Sequence, residues 1–329
     1  MTEAPVELVW NKGIARLCDR RIPDEFPDGL TYTPVPTLAG ARMSPDLPAD
    51  AIADPARYAD IRAGEIVWVR LSWLPAFVRQ VLPLIRAPFV LATGDSDSSV
   101  PSELPDLARP ILASPYVIRW FAQNHDGAAP ERMAPIPIGI DFHSMAERPI
   151  WDEAVASPSR QEATLTAIAA RLQPLERRDP HVYIDFGWDA SNRRDPSPVG
   201  ARLVESRRAI VTRLRGRRDA VVCQTTQLPR SEMWRRRGQY AAVLSPHGGG
   251  LDCHRTWEAL ALGHLVLVPS SGLDPLFESL PVVPLRSWTE VTGAHLARWL
   301  STHAGDTHAR ERLTSRYWLA RMRSVTADS

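Results

Sequence analysis

Lysine is almost missing from this chain. Lys12 is the single lysine; every other side chain among the 39 lysines and arginines is arginine. The arginines are spread over the whole chain, so their excess reads mainly as codon bias. Cysteine is scarce too. Cys18, Cys223 and Cys253 are odd in number, far apart and without a Cys-x-x-Cys, which excludes a disulfide framework and a cysteine-based zinc site and fits a reducing compartment. No apolar run approaches the ~20 residues that span a bilayer. Met1–Trp10 lacks a basic start followed by an apolar core, so no signal peptide is expected and a cytoplasmic location is. There is no Gly-Lys-Ser/Thr of a Walker loop, no Gly-x-Ser-x-Gly elbow and no internal repeat. A wholly disordered chain is excluded as well, because 44% of residues are hydrophobic and only 23% charged. The 329 residues are enough for about two domains and for a core that needs no staple.

The net charge is +1, but it is unevenly distributed. Residues 1–150 hold 14 basic and 19 acidic side chains, residues 151–250 hold 17 and 11, and residues 251–329 hold 8 of each. A positive middle segment suits an anionic ligand, or is simply a solvated helix face.

Short apolar runs closed by polar residues alternate with helical patterns. Residues 23–55, rich in Pro, Asp and Ala, read as irregular chain. Strands are expected at Glu65–Arg70, Pro88–Thr93 and Ile136–Ile140, with a helix over Trp73–Ile85 and a strand-to-helix step over Tyr116–Asn124. A helical bridge over Arg160–Leu175 follows. The rhythm then restarts with strands at Val182–Phe186, Ala220–Cys223, Tyr240–Ser245, His264–Pro269 and Pro281–Leu285. Helices are expected at Val199–Arg215, Arg230–Arg237 and Leu251–Leu262, with a helical turn at Asp274–Leu280. Two more, at Trp288–Leu300 and Thr307–Arg323, end the chain. This is α/β architecture in two halves, and ligands of such open sheets sit outside the carboxyl ends of the strands.

The most informative stretch is Ser245-Pro-His-Gly-Gly-Gly-Leu-Asp-Cys-His-Arg-Thr-Trp-Glu-Ala-Leu260. A buried strand ends, three glycines allow close backbone approach, and a helix begins whose positive end suits a phosphate. Asp252, Arg255 and Glu258 recur every three residues along one side of that helix. An arginine there can bind phosphate oxygens bidentately, and a carboxylate one turn on can accept ribose hydroxyls. Nucleoside diphosphate binding is one reading. A glycine-rich turn with an Arg–Glu helix pair is the other.

The stretch resembles the signature of exostosin-like glycosyltransferases, in particular bacterial and viral members with Ser-Pro-x-Gly-x-Gly-Leu-Asp-x-His-Arg-Thr-Trp-Glu-Ala-Leu. The likeness continues through Leu273-Asp-Pro-Leu-Phe-Glu-Ser-Leu-Pro-Val-Val283 to Trp288-Thr-Glu290. Weaker echoes lie at Thr93-Gly-Asp-Ser-Asp97, Trp120–Asn124 and Pro137–His143. Gly249 departs from a common Asn and His264-Leu-Val-Leu from a common Cys-Ile-Pro-Ile, which leaves the donor type open. The resemblance implies a GT-B transferase: two Rossmann-like domains facing across a cleft, with the last helix returning to the first domain. The expected organisation is an acceptor domain over 1–155, a helical linker over 156–180, a nucleotide-sugar domain over 181–305 and a returning helix over 306–329. It implies a hexosyl or pentosyl transfer from a UDP- or GDP-sugar, without a required metal, to a glycan, small-molecule or nucleic-acid-base acceptor. Gly248, Gly249, Gly250 and Arg255 would hold the diphosphate and Glu258 the ribose. Ser245, His247 and Asp252 complete the expected donor site, His247 as a phosphate or sugar contact.

An inverting reaction needs a general base at the acceptor. Asp95, Asp97, Asp141 and His143 lie at the carboxyl ends of expected first-half strands and are the candidates, Asp141 and His143 ahead of the other two. Each could instead be a turn or capping residue. A retaining mechanism would not need them. Trp73 and Trp120 could stack on sugars, although core packing is the commoner use of tryptophan. Three alternatives stand beside this reading. Asp95-Ser-Asp97 could hold Mg²⁺ or Mn²⁺ in a metal-dependent, one-domain GT-A enzyme. Arg207-Arg208 and Arg235-Arg-Arg237 could mark a nucleic-acid-binding module. The chain could also be a non-catalytic relative that only binds sugar or nucleotide.

Overall fold

A computed structural model describes residues 6–22, 52, 54–187, 198–303 and 309–327. The expected irregular segment 23–55 lies almost wholly outside the described residues.

The first half opens with helix α1 (Asn11–Leu17) and strand β1 (Arg20–Ile22), both within a region where the sequence offered no pattern. Helix α2 (Pro55–Ala59) precedes β2 (Ile66–Arg70) and β3 (Phe89–Gly94), whose residues are all buried. Between these strands the expected single helix is a chain of tight and wide turns, with α3 (Leu74–Ala76) inside it. Pro75 and Pro83 each remove a backbone N–H and break the regular ladder. Helix α4 (Pro105–Ala113), which carries no clear sequence signal, leads into β4 (Val117–Ala122). Strand β5 (Met133–Pro135) comes before, not within, the expected Ile136–Ile140 strand. That run forms no strand and is tied to the chain start by a single antiparallel bridge between Trp10 and Gly139. A side chain on Gly139, at φ +69°, would meet the Val9 carbonyl at 2.3 Å. All five strands are parallel in the order β1-β2-β3-β4-β5.

After α5 (Ser144–Glu147), helix α6 (Pro158–Ala169) starts where Ser157 Oγ accepts the Arg160 N–H. The second half then supplies β6 (Asp179–Ile184), α7 (Arg207–Leu214), β7 (Val221–Cys223), α8 (Arg230–Arg237), β8 (Tyr240–Leu244), α9 (His254–Ala261), β9 (Leu265–Pro269) and β10 (Val282–Leu285). Its parallel sheet runs β10-β9-β8-β6-β7. The chain moves from β6 to β7 on one side and returns to β8 on the other, so the strand order reverses between β6 and β8. Helix α7 begins at Arg207, later than expected, because Ser206 Oγ caps it through the Ala209 N–H at 3.0 Å. Helix α9 begins at His254, so Asp252 lies before it and not on its face.

Helices α10 (Gly293–His303), α11 (Ala309–Arg312) and α12 (Ser315–Ala327) end the described chain. The last of these returns to the first half, packing on α1, β3 and β4. Its fully buried Trp318 meets Trp257 of α9 edge-on, with 6.2 Å between ring centroids. One apolar cluster runs from Trp10, Trp68 and Phe142 of the first half to Leu251, Trp257 and Trp318. The fold is therefore α/β, with two Rossmann-like units whose carboxyl strand ends face each other. Among the described residues no helix is long and apolar enough to cross a membrane.

Candidate functional site

The site lies where the two sets of strand ends meet. On the second-half side, the crevice between β6 and β8 is the point of strand reversal, the ordinary ligand position of an open α/β sheet. Asp185 and Phe186 follow β6, and the glycine loop follows β8. The Arg255 guanidinium sits 5.4 Å from the Phe186 ring centre and that of Arg207 sits 5.6 Å from it. Arg207 donates through Nε and Nη2 to the His247 carbonyl, at 3.3 and 3.2 Å. Arg255 gives its Nε–H to Asp185 Oδ1 at 3.0 Å and is partly exposed. The sequence had marked Arg255 but placed Arg207 only in a surface basic run. Its start-of-helix position after Ser206 was the available signal.

The glycines meet a packing demand within the protein. None of Gly248, Gly249 and Gly250 has a positive φ. A β-carbon on Gly249 would lie 2.0 Å from Asp97 Oδ2, and one on Gly250 would lie 2.4 Å from Asn124 Nδ2 and 2.7 Å from the Asp97 carbonyl. They let the second half's loop close against the first half's backbone. Gly248 faces Cys253 and Arg207.

Several expected donor residues are engaged within the protein. Ser245 Oγ accepts from Thr256 Oγ1 at 2.9 Å. Asp252 joins the halves. It accepts from the Ile138 N–H at 2.8 Å, from Trp257 Nε1 and from the Cys253 N–H, while its own N–H donates to Asn124 Oδ1. Burial pushes its carboxyl up to about 6, against the pull of those bonds. Glu258 faces the interior. Oε1 takes Arg230 Nη2 at 2.7 Å, and Oε2 takes Arg237 Nη1 at 3.2 Å. Burial alone would raise its pKa; the two guanidiniums hold it at about 2. Arg237 also binds Asp185 at 2.7 Å, so Arg230, Glu258, Arg237, Asp185 and Arg255 form one charged chain leading to the crevice. The helix-face geometry that put Glu258 beside Arg255 thus yields a buried network, not an open ribose contact. His247 donates its Nδ1–H to the Leu251 carbonyl at 2.8 Å, and its buried Nε2 has no partner. Burial lowers its pKa, so the neutral ring presents Nε2 as an acceptor.

The first-half candidates do converge, and a residue from the second half joins them. Asp141 receives the Ser144 N–H and Oγ–H at 2.9 and 2.7 Å, and His143 Nδ1 lies 3.0 Å from its Oδ1. His254, the first residue of α9, donates its Nδ1–H to the Gly139 carbonyl at 2.6 Å, and its ring centre is 5.7 Å from that of His143. Burial would raise the Asp141 pKa, but His143, His254, Arg230 and the Ser144 N–H carry it well below the carboxylate range. Burial, with Lys12 and His254 nearby, lowers His143 to about 4 although Asp141 opposes the shift. Asp95, at φ +65°, forms its own ion pairs beside these residues. It lies 2.8 Å from Arg70 Nε and 4.0 Å from Lys12 Nζ, and these cations lower its pKa against its burial. Among the described residues the grouped potential ligands are Asp141, His143 and His254.

Other expectations resolve simply. Trp120 is fully buried and donates to Thr93 Oγ1, so it belongs to the core. Cys253 gives its Sγ–H to the Pro246 carbonyl. Arg235 pairs with Glu232 and Arg237 is buried, so the Arg235–Arg237 run is not a continuous solvated basic face.

The sequence matches no family model, and no curated protein matches it either. Its fold is similar to solved trehalose-phosphate synthases. The UDP-forming enzyme from Burkholderia vietnamiensis has 14% identity over 83% of this chain and 74% of its own, with a TM-score of 0.40. The E. coli protein bound with UDP-2-fluoro glucose has 12% identity over 83% and 75%, with a TM-score of 0.36. The Burkholderia xenovorans enzyme in complex with glucose-6-phosphate has 13% identity over 82% and 73%, with a TM-score of 0.35.

Proposed function

We propose that this chain is an inverting GT-B glycosyltransferase that takes its sugar from a UDP- or GDP-linked donor. The observation that carries the reading is the pairing across the cleft. Two arginines flank Phe186 at the strand-reversal crevice of the second half, and the first half's His143–Asp141 pair meets that half at His254. Arg255 and Arg207 would hold the diphosphate and stabilise its charge as it leaves. The open acceptor position of His247 Nε2 fits a sugar hydroxyl, which donates, and not a phosphate oxygen, which cannot. Glu258 would act through the arginine chain by fixing Arg237, Asp185 and hence Arg255.

His143 would serve as the proton acceptor, with Asp141 orienting its ring. The acceptor hydroxyl oxygen attacks the anomeric carbon and the bond from that carbon to the phosphate oxygen breaks. The nucleoside diphosphate departs with the electron pair, and the hydroxyl proton passes to a ring nitrogen of His143. Asp95, already neutralised by Arg70 and Lys12, would position the cleft wall and take no proton. The donor half would comprise residues 181–305 and the acceptor half residues 1–155.

Thermal unfolding with UDP, GDP, ADP, CMP and their common sugar conjugates, with Mg²⁺ or with EDTA, tests the reading. One nucleotide at 100 times its Kd should stabilise the protein by about 2.7 kcal/mol, independently of EDTA. No stabilisation by any of them, or an Arg255→Ala protein that binds equally well, would overturn it.

A further inference from the structure

We propose that Asp141, His143 and His254 form a zinc site that bridges the two halves and, when filled, switches the cleft off. One ligand-capable atom from each lies within 4.8 Å of the other two. The second shell is already in place. With Nδ1–H of His254 given to the Gly139 carbonyl, its Nε2 lone pair is available, and Asp141 is oriented from both oxygens by Ser144. His143 Nδ1 and Asp141 Oδ1 are 3.0 Å apart, so a cation shared between them would need to open that distance only slightly. Two nitrogens and one oxygen favour zinc or copper over magnesium, which prefers oxygen. Asp95, paired with both Lys12 and Arg70, offsets one of the two positive charges beside the site.

The consequence follows from where the ligands come from. Asp141 and His143 belong to the first half, and His254 opens α9 of the second. Metal–ligand bonds of roughly 2.0–2.2 Å hold tetrahedral ligands about 3.3–3.6 Å apart, so a bound cation ties the halves together. It also occupies a nitrogen of the residue assigned to take the acceptor proton. Zinc would therefore inhibit. The inhibition rests on the proposed role of His143, whereas the cation site does not.

The test is calorimetric titration of the metal-free protein with ZnCl₂, with Co²⁺ absorption as a second readout. Wild type should bind one Zn²⁺ per chain at this site, with 1 mM Mg²⁺ failing to compete. His254→Ala and, separately, His143→Gln should each weaken binding by at least about tenfold while keeping the wild-type circular dichroism spectrum. Undiminished affinity in a folded variant, or no binding by wild type, overturns the site. Release of nucleoside diphosphate from UDP-glucose or GDP-mannose should stop with Zn²⁺ and return with EDTA. Zinc bound at these residues with release unchanged overturns the switch. Zinc binding without any nucleotide binding would instead strike the transferase reading and leave the cation site standing.

Discussion

Replacing Glu258 by Gln separates two roles for one residue. The sequence suggested a ribose contact, whereas the structure gives Glu258 to Arg230 and Arg237, both buried. Glu258→Gln keeps the shape and removes the charge. Arg237 would retain Asp185, but Arg230 would be left with Gln161 Oε1 at 2.7 Å and with the Trp151 and Trp234 rings at 4.7 and 4.6 Å. Removing one partner of a buried ion pair costs about 3–5 kcal/mol, chiefly because the remaining charge stays buried. Unfolding entropy of about 2.1 cal/mol/K per residue over this chain gives roughly 0.7 kcal/mol/K, so Tm should fall by about 4–7 °C. Differential scanning calorimetry measures this directly, and donor titration of the same protein reports the site. A fall below about 1 °C, with nucleotide binding abolished, would refute the network argument and restore Glu258 to the ribose.

Arg255→Ala should do the reverse. Asp185 keeps Arg237, so stability should change by less than about 1 kcal/mol, while loss of a charge-assisted phosphate contact worth about 1.5–3 kcal/mol weakens donor binding roughly 10- to 150-fold by calorimetry. Gly250→Ala drives a methyl group into Asn124 and the Asp97 carbonyl, and should lower stability by about 1–3 kcal/mol in chemical denaturation; an unchanged midpoint would mean the loops do not touch. Stability should also decline as pH drops below about 6.5. Burial lowers the folded-state pKa of His125, His247 and His264, so the unfolded chain takes up their protons first, and each contributes a slope of up to about 1.4 kcal/mol per pH unit. Asp252, pushed up to about 6 when folded, acts in the opposite sense below that pH, where the folded protein protonates first, and offsets part of the loss. A Tm that stays flat from pH 8 to 5 would contradict the burial of these rings.

Much of the architecture is written locally. Buried strands such as Ile66–Arg70 and Leu265–Pro269 are short, apolar and closed by turn residues, so their order along the chain is legible without a fold. So is the strand–glycine–helix passage at Leu244–His254. A strand expected at Ile136–Ile140 singles out Asp141 and His143, whereas β5 ends at Pro135. What a side chain meets across the molecule is not written locally. Glu258 and Arg230 are 28 residues apart, Asp185 and Arg255 are 70, and Ile138 and Asp252 are 114. Helical spacing put Asp252 and Glu258 on a ligand-facing stripe. Tertiary packing pulled Asp252 off the helix and turned Glu258 inward, because a buried carboxylate goes where donors can satisfy it. The same packing brought His254 to Asp141 and His143, which sequence separation alone would never have grouped. The sequence by itself thus determined the buried central strands and the parallel two-half plan, while α1, β1 and β5 escaped it. The meeting of charges, and with it the character of the site, was decided only when the two halves closed on one another, because desolvation and pairing depend on three-dimensional neighbours and not on chain order.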